Sequence, residues 1–84
     1  MTKKIIAGNW KQNGTLKSSI SLTKSILSAL KNSECKNEII ILPPSIYLPT
    51  IQSLINKRIK IGSQNVSAYD NGAFTGEISA TMLK

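Results

Sequence analysis

Apolar positions along this chain come in three short runs, and the two stretches between them repeat at helical spacing. Lys4 to Asn9, carrying Ile5-Ile6-Ala7-Gly8, predicts a buried strand. Glu38-Ile39-Ile40-Ile41-Leu42 is the clearest strand signal, and Ile59-Lys60-Ile61-Gly62-Ser63-Gln64 is a third, more alternating one. Between the first two, Leu16, Ile20, Thr23, Leu27 and Leu30 step by four, three, four and three, with Leu22 and Ile26 widening the stripe. That spacing predicts a helix from about Leu16 to Asn32, preceded by an Asn13-Gly14 break and capped by Thr15. Between the second and third runs, Tyr47, Leu48, Ile51, Leu54 and Ile55 predict a shorter helix. Ser45 is its candidate cap, and Pro43-Pro44 keeps strand and helix apart.

Strand, helix, strand, helix, strand with near-continuous apolar strands implies an α/β fold with parallel pairing through right-handed crossovers. A doubly wound sheet and a barrel are both built this way, and periodicity does not choose between them. After Gln64 the pattern changes. Asn65 to Glu77 is a polar connection rich in small residues, with turn signals at Asn71-Gly72 and Gly76. Such a connection at the carboxyl end of a strand is usually functional in α/β proteins. Ser79 to Lys84 then reads as the cap and first turn of a third helix. A domain rarely ends one turn into a helix. The expectation is that residues 1–84 form the amino-terminal part of a single, longer domain.

Charge complicates this picture only briefly. Lysine and arginine outnumber the acids 11 to 4, a formal net charge of +7, which raises nucleic acid or an anionic membrane as a partner. Placement argues otherwise. Lys17, Lys24 and Lys31 fall seven apart on the solvated helix face, and Lys57, Arg58 and Lys60 sit where cations complement a helix end. None of the four aromatics, Trp10, Tyr47, Tyr69 and Phe74, interleaves with basic residues as a base-stacking platform does. No nucleic-acid or membrane partner is expected.

The lone Cys35 excludes an internal disulfide and a multi-cysteine zinc site, and it reads as an inert thiol in a connection. The chain contains no histidine, the commonest general base and metal ligand. No metal or cofactor is expected. Ile5 to Gly8 is too short for a signal segment and nothing approaches a membrane span, so a cytoplasmic location is expected.

Candidate chemistry concentrates at the end of the first strand, in Gly8-Asn9-Trp10-Lys11-Gln12-Asn13-Gly14. Its glycines are wrongly spaced for a P-loop or a dinucleotide fingerprint. A parallel strand delivers side chains from its carboxyl end to the active face. Asn9 there offers amide donors for a developing oxyanion, and Lys11 a compact cation for a phosphate or an enediolate oxygen. The plainer account of both is a pair of turn residues with solvated side chains.

GNWKQNGT resembles the amino-terminal signature of the triosephosphate isomerase family, LPPSIYL the segment after its second strand, and GSQNVSAYDNGAFTGEIS its third strand and long following loop. The three matches come in order and span nearly the whole chain. The resemblance implies a (β/α)8 TIM barrel, of which these residues cover three strands, two helices and the start of a third. It implies interconversion of dihydroxyacetone phosphate and D-glyceraldehyde 3-phosphate through an enediol(ate), in glycolysis and gluconeogenesis, by a homodimer. Lys11 matches the family's catalytic lysine, and Asn9 with Lys11 its substrate-binding pair. Thr75 matches the loop tip that inserts into the partner subunit. Glu77 matches a residue that ion-pairs across the dimer, and Gln64, Asn65, Phe74 and Gly76 look like parts of the same interface.

Gln12 stands where the family usually has methionine, and Ala80 where many members have proline. The family is itself the standard worked case of a glutamate base paired with a neutral histidine electrophile. Neither is matched in these 84 residues, and a barrel of this kind takes about 250. The fragment alone is therefore expected to be inactive. Two rivals are another phosphate-binding (β/α)8 enzyme and a small basic module that binds anions or nucleic acid. Joint matching of three segments disfavours the first; the second calls for salt-dependent affinity for polyanions.

Overall fold

The computed structural model describes residues 3–31, 33 and 36–84. Cys35 and the expected helix end at Asn32 lie outside the described residues. The elements in chain order are β1 (Ile5–Asn9), α1 (Leu16–Lys31), β2 (Glu38–Leu42), a 3-10 turn (Ser45–Tyr47), α2 (Leu48–Leu54), β3 (Ile59–Ile61) and α3 (Ala80–Leu83). The sheet runs β1-β2-β3 with every pair parallel. Ile5 lies opposite Glu38 and Asn9 opposite Leu42, while Ile39 faces Ile59 and Ile41 faces Ile61. Successive parallel neighbours joined through helices, with α1 packed against α2, are the succession that opens a (β/α)8 barrel.

Local chemistry sets most boundaries. Thr15 and Ser18 cap α1 reciprocally. The Ser18 amide donates to Thr15 Oγ1 at 3.1 Å, and the Thr15 amide donates to Ser18 Oγ at 2.8 Å. This is the capping-box exchange with serine in place of the usual glutamate. Gly14 before it has φ +92°, and a Cβ there would lie 3.0 Å from Ser18 Oγ. At the next helix the sequence expectation fails. Ser45 opens the 3-10 turn and caps nothing with its side chain; Tyr47 is the N-cap of α2, and a proline stands in the first turn. Pro49 brings no amide to that turn, so less is left there for a cap to satisfy. Ser79 does cap α3, its Oγ accepting from the Met82 amide at 3.2 Å.

The core is an apolar wedge between helices and sheet. Leu30 of α1, Ile41 of β2, Ile51 of α2 and Ile59 of β3 are buried at its centre, with Trp10, Ile26, Leu27, Tyr47 and Leu54 packed around them. The face α1 buries follows its expected stripe at Thr23 and Leu30 and departs from it towards the start of the helix. Ser19 and Thr23 are buried, whereas Leu16 and Leu22 are exposed. Thr23 Oγ1 meets the cost of burial by donating to the Ser19 carbonyl one turn back, at 2.8 Å.

The expected burial of β1 is corrected. All five of its residues are exposed, Ile5 at 66% and Ile6 at 51%. β1 is an outer strand, the buried cluster draws on β2 and β3, and no described element covers it. The apolar run is there, without a cover among the described residues.

Candidate active site

The carboxyl ends of the three strands converge on one polar corner. β1 ends at Asn9, and the Trp10 amide continues the ladder by donating to the Leu42 carbonyl at 3.1 Å. The chain then bends sharply. Asn9 Oδ1 accepts from the Lys11 amide at 2.8 Å, an Asx-type turn that leaves the Asn9 amide donors without a partner among the described residues. Asn13 Nδ2 donates to the Trp10 carbonyl at 3.0 Å, closing the bend from its other side.

Lys11 adopts φ +54°, the one positive φ of a non-glycine residue among the described residues. A side chain with a Cβ costs about 1–3 kcal/mol in that region, and such residues cluster where function over-determines the backbone. What holds the strained peptide is visible. Gln64, three residues past β3, donates both amide hydrogens across the sheet, to the Lys11 carbonyl at 2.9 Å and to the Leu42 carbonyl at 2.8 Å. One side chain thus ties together the ends of all three strands.

Beside this tie opens a cleft of about 280 Å³, walled by Lys11 to Gly14, by Pro44 to Tyr47 and by Gln64 and Asn65. Lys11 lines it; Asn9 sits at the strand end behind. Among the described residues the cleft has a single cation and no acid, which suits a small anion. The expected oxyanion donor and the expected cation are therefore brought to one corner. Gln12 lies exposed on the wall.

Two site features escaped the sequence. Gln64, which the resemblance places at an interface, is within the chain also the cross-tie. The segment from Pro44 to Tyr47, which the sequence presents as a proline separator and a helix cap, also walls the cleft. The one available signal was topological: parallel strands deliver their carboxyl ends to the same place.

The remaining expected interface residues gather in the third loop. Its base is closed by the Ser67 amide donating to the Ile78 carbonyl at 2.8 Å, and Thr81 Oγ1 donates to Asp70 Oδ1 at 3.1 Å. Phe74 stacks on Tyr69 with ring centroids 4.8 Å apart and planes 14° off parallel, yet both stay exposed. Thr75, Gly76 and Glu77 are exposed, and Gly76 takes φ +76°. The loop is ordered by its own bonds while presenting apolar area to solvent.

Among the described residues no cluster of side chains could hold a metal ion, and no helix is long and apolar enough to cross a membrane. A family model described as triosephosphate isomerase matches residues 4–84. The chain is 42% identical to a triosephosphate isomerase of Legionella pneumophila (strain Lens) and 44% identical to one of Cytophaga hutchinsonii, over all of its length and 34% of theirs. It is 41% identical to one of Clostridium tetani, over all of its length and 32% of that protein's. The chain spans about a third of the length of the curated relatives it matches.

Proposed function

The chain belongs to the triosephosphate isomerase family, and on that premise we propose that its protein interconverts dihydroxyacetone phosphate and D-glyceraldehyde 3-phosphate by proton transfer through an enediol(ate). Lys11 neutralises the phosphate and the charge that builds on oxygen as the proton leaves carbon, and Asn9 donates from its amide to the substrate. The observation that carries this is the corner itself: a lysine forced into the left-handed region, tied by Gln64, facing an acid-free cleft beside an Asn whose amide hydrogens are uncommitted. Preorganised donors aimed at developing charge are typically worth on the order of 10²–10³ in rate. Lys11→Ala in the complete protein is expected to cost at least about 10²-fold in kcat. Unchanged turnover refutes the assignment.

The 84 residues alone do not isomerise triose phosphates, because no histidine is among them and none of their acids lies in the cleft. Measurable turnover of glyceraldehyde 3-phosphate by the purified chain overturns that. The complete protein acts as a homodimer through the loop around Thr75, with Gln64, Asn65, Phe74, Gly76 and Glu77 contributing. The exposed Tyr69–Phe74 stack supports this, since a second copy would cover that apolar area. Thr75→Arg is expected to shift the protein towards monomer in sedimentation equilibrium; an unchanged mass rejects the loop as the contact. The reaction belongs to glycolysis and gluconeogenesis in the cytoplasm and calls on no metal or cofactor.

A further inference from the structure

At the opposite end of the strands lies a second cleft, of about 400 Å³, lined by Lys3, Lys36, Asn37, Glu38, Ile39, Lys57, Arg58 and Lys60. The sequence separates these cations into three groups; the parallel sheet brings their strand starts together. Five of the chain's eleven cations meet here, against one acid in the lining. Glu38 is occupied by its ion pair with Lys60. Lys3, Lys36 and Lys57 have no acidic partner among the described residues.

The frame around them is fixed. Asn37 Oδ1 accepts from the Lys4 amide at 3.2 Å, and the Glu38 amide donates to the Lys4 carbonyl at 2.9 Å, joining the starts of β1 and β2. On the far wall Asn56 Oδ1 accepts from the Arg58 amide at 2.8 Å, while Arg58 Nη1 donates to the Leu30 carbonyl in the last turn of α1 at 3.2 Å. Three ammonium groups held round one concavity repel one another, and a multiply charged anion bound among them removes that repulsion.

We propose that this cleft is a binding site for a short linear oligophosphate, distinct from the corner around Lys11. The size falls within the range of small-ligand clefts, roughly 300–1,000 Å³. No aromatic side chain lines it, so it offers nothing for a nucleic-acid base to stack on. It is concave with Ile39 as its only apolar side chain, which gives an anionic membrane little to embed. In barrels of this architecture chemistry is done at the carboxyl ends of the strands. A ligand at the amino ends therefore leaves the catalytic mouth open. The proposal goes beyond the isomerase reading and does not depend on it.

The test is calorimetric titration of inorganic tripolyphosphate into the complete protein, at low ionic strength and at about 150 mM salt, where screening weakens exposed pairs. One site per chain is expected, weaker in salt and indifferent to added triose phosphate. Lys36→Gln/Lys57→Gln is expected to weaken binding at least about tenfold, as loss of two near charges should. Lys17→Gln/Lys24→Gln removes the same net charge from α1, outside the cleft lining, and is expected to change binding at about 150 mM salt less than about twofold, where screening is strong. Circular dichroism of both variants establishes that they fold. Equal losses in the two pairs, displacement by triose phosphate, absence of binding, or tighter binding of an oligoribonucleotide or of anionic vesicles each overturn the proposal.

Discussion

The two outer strands of this sheet are held in opposite ways. β1 registers five residues against β2 and buries none of them. β3 registers only three, yet Ile59 is 3% exposed and joins the core with Ile41 and Ile51. Hydrogen bonding positions β1, and apolar burial anchors β3. The candidate site is carried by the strand that is positioned but not anchored, which is why its geometry depends on polar ties: Asn9 to the Lys11 amide, and Gln64 to two carbonyls. Those ties give direction at small net energy, since an intramolecular hydrogen bond contributes only about 0.5–1.5 kcal/mol.

The contrast can be broken most sharply at Ile51, fully buried where α2 meets the sheet. In the 84-residue chain Ile51→Ala should cost about 2–5 kcal/mol in urea unfolding. A loss under 1 kcal/mol would mean that the wedge is not what stabilises the fold. Next comes Gln64→Leu, which removes both cross-sheet bonds and should cost about 1–3 kcal/mol. Its signature is local: amide exchange should quicken around Lys11 before it quickens in β2. Uniform quickening would show that the tie belongs to the core after all. Thr15→Ala, which breaks the reciprocal cap, should cost about 1 kcal/mol. Ile6→Thr should change the chain's stability by no more than about 0.5 kcal/mol, as surface substitutions do. A larger loss at Ile6 would show that β1 is anchored like β3.

Much of this was legible beforehand, and for nameable reasons. Glu38 to Leu42 needed no help: five residues with four consecutive aliphatics have few ways to be satisfied. Thr15 and Ser79 were readable as caps because a hydroxyl before a helical run has a local job. Lys11 and Asn9 were placed together by their position at a strand end. What stayed hidden is what depends on distant residues. Ser45 lost its capping role to a 3-10 turn set by the prolines around it. The buried face of α1 keeps Thr23 and Leu30 of the expected stripe, but packing swings it onto Ser19 and leaves Leu16 and Leu22 exposed. Gln64 spans 53 residues to reach Lys11, and no local pattern marks a side chain for that. Arg58 does complement a helix end, as its neighbourhood suggested, but that of α1, 28 residues away.

On the role proposed for Lys11, its left-handed backbone sets stability and activity against each other at a single position. Glycine adopts that conformation without steric cost, so Lys11→Gly should relieve part of the roughly 1–3 kcal/mol stored there. The same exchange deletes the cation that faces the cleft. A selection for thermal endurance alone would drift towards glycine at residue 11, and one for turnover would hold lysine there against its own backbone.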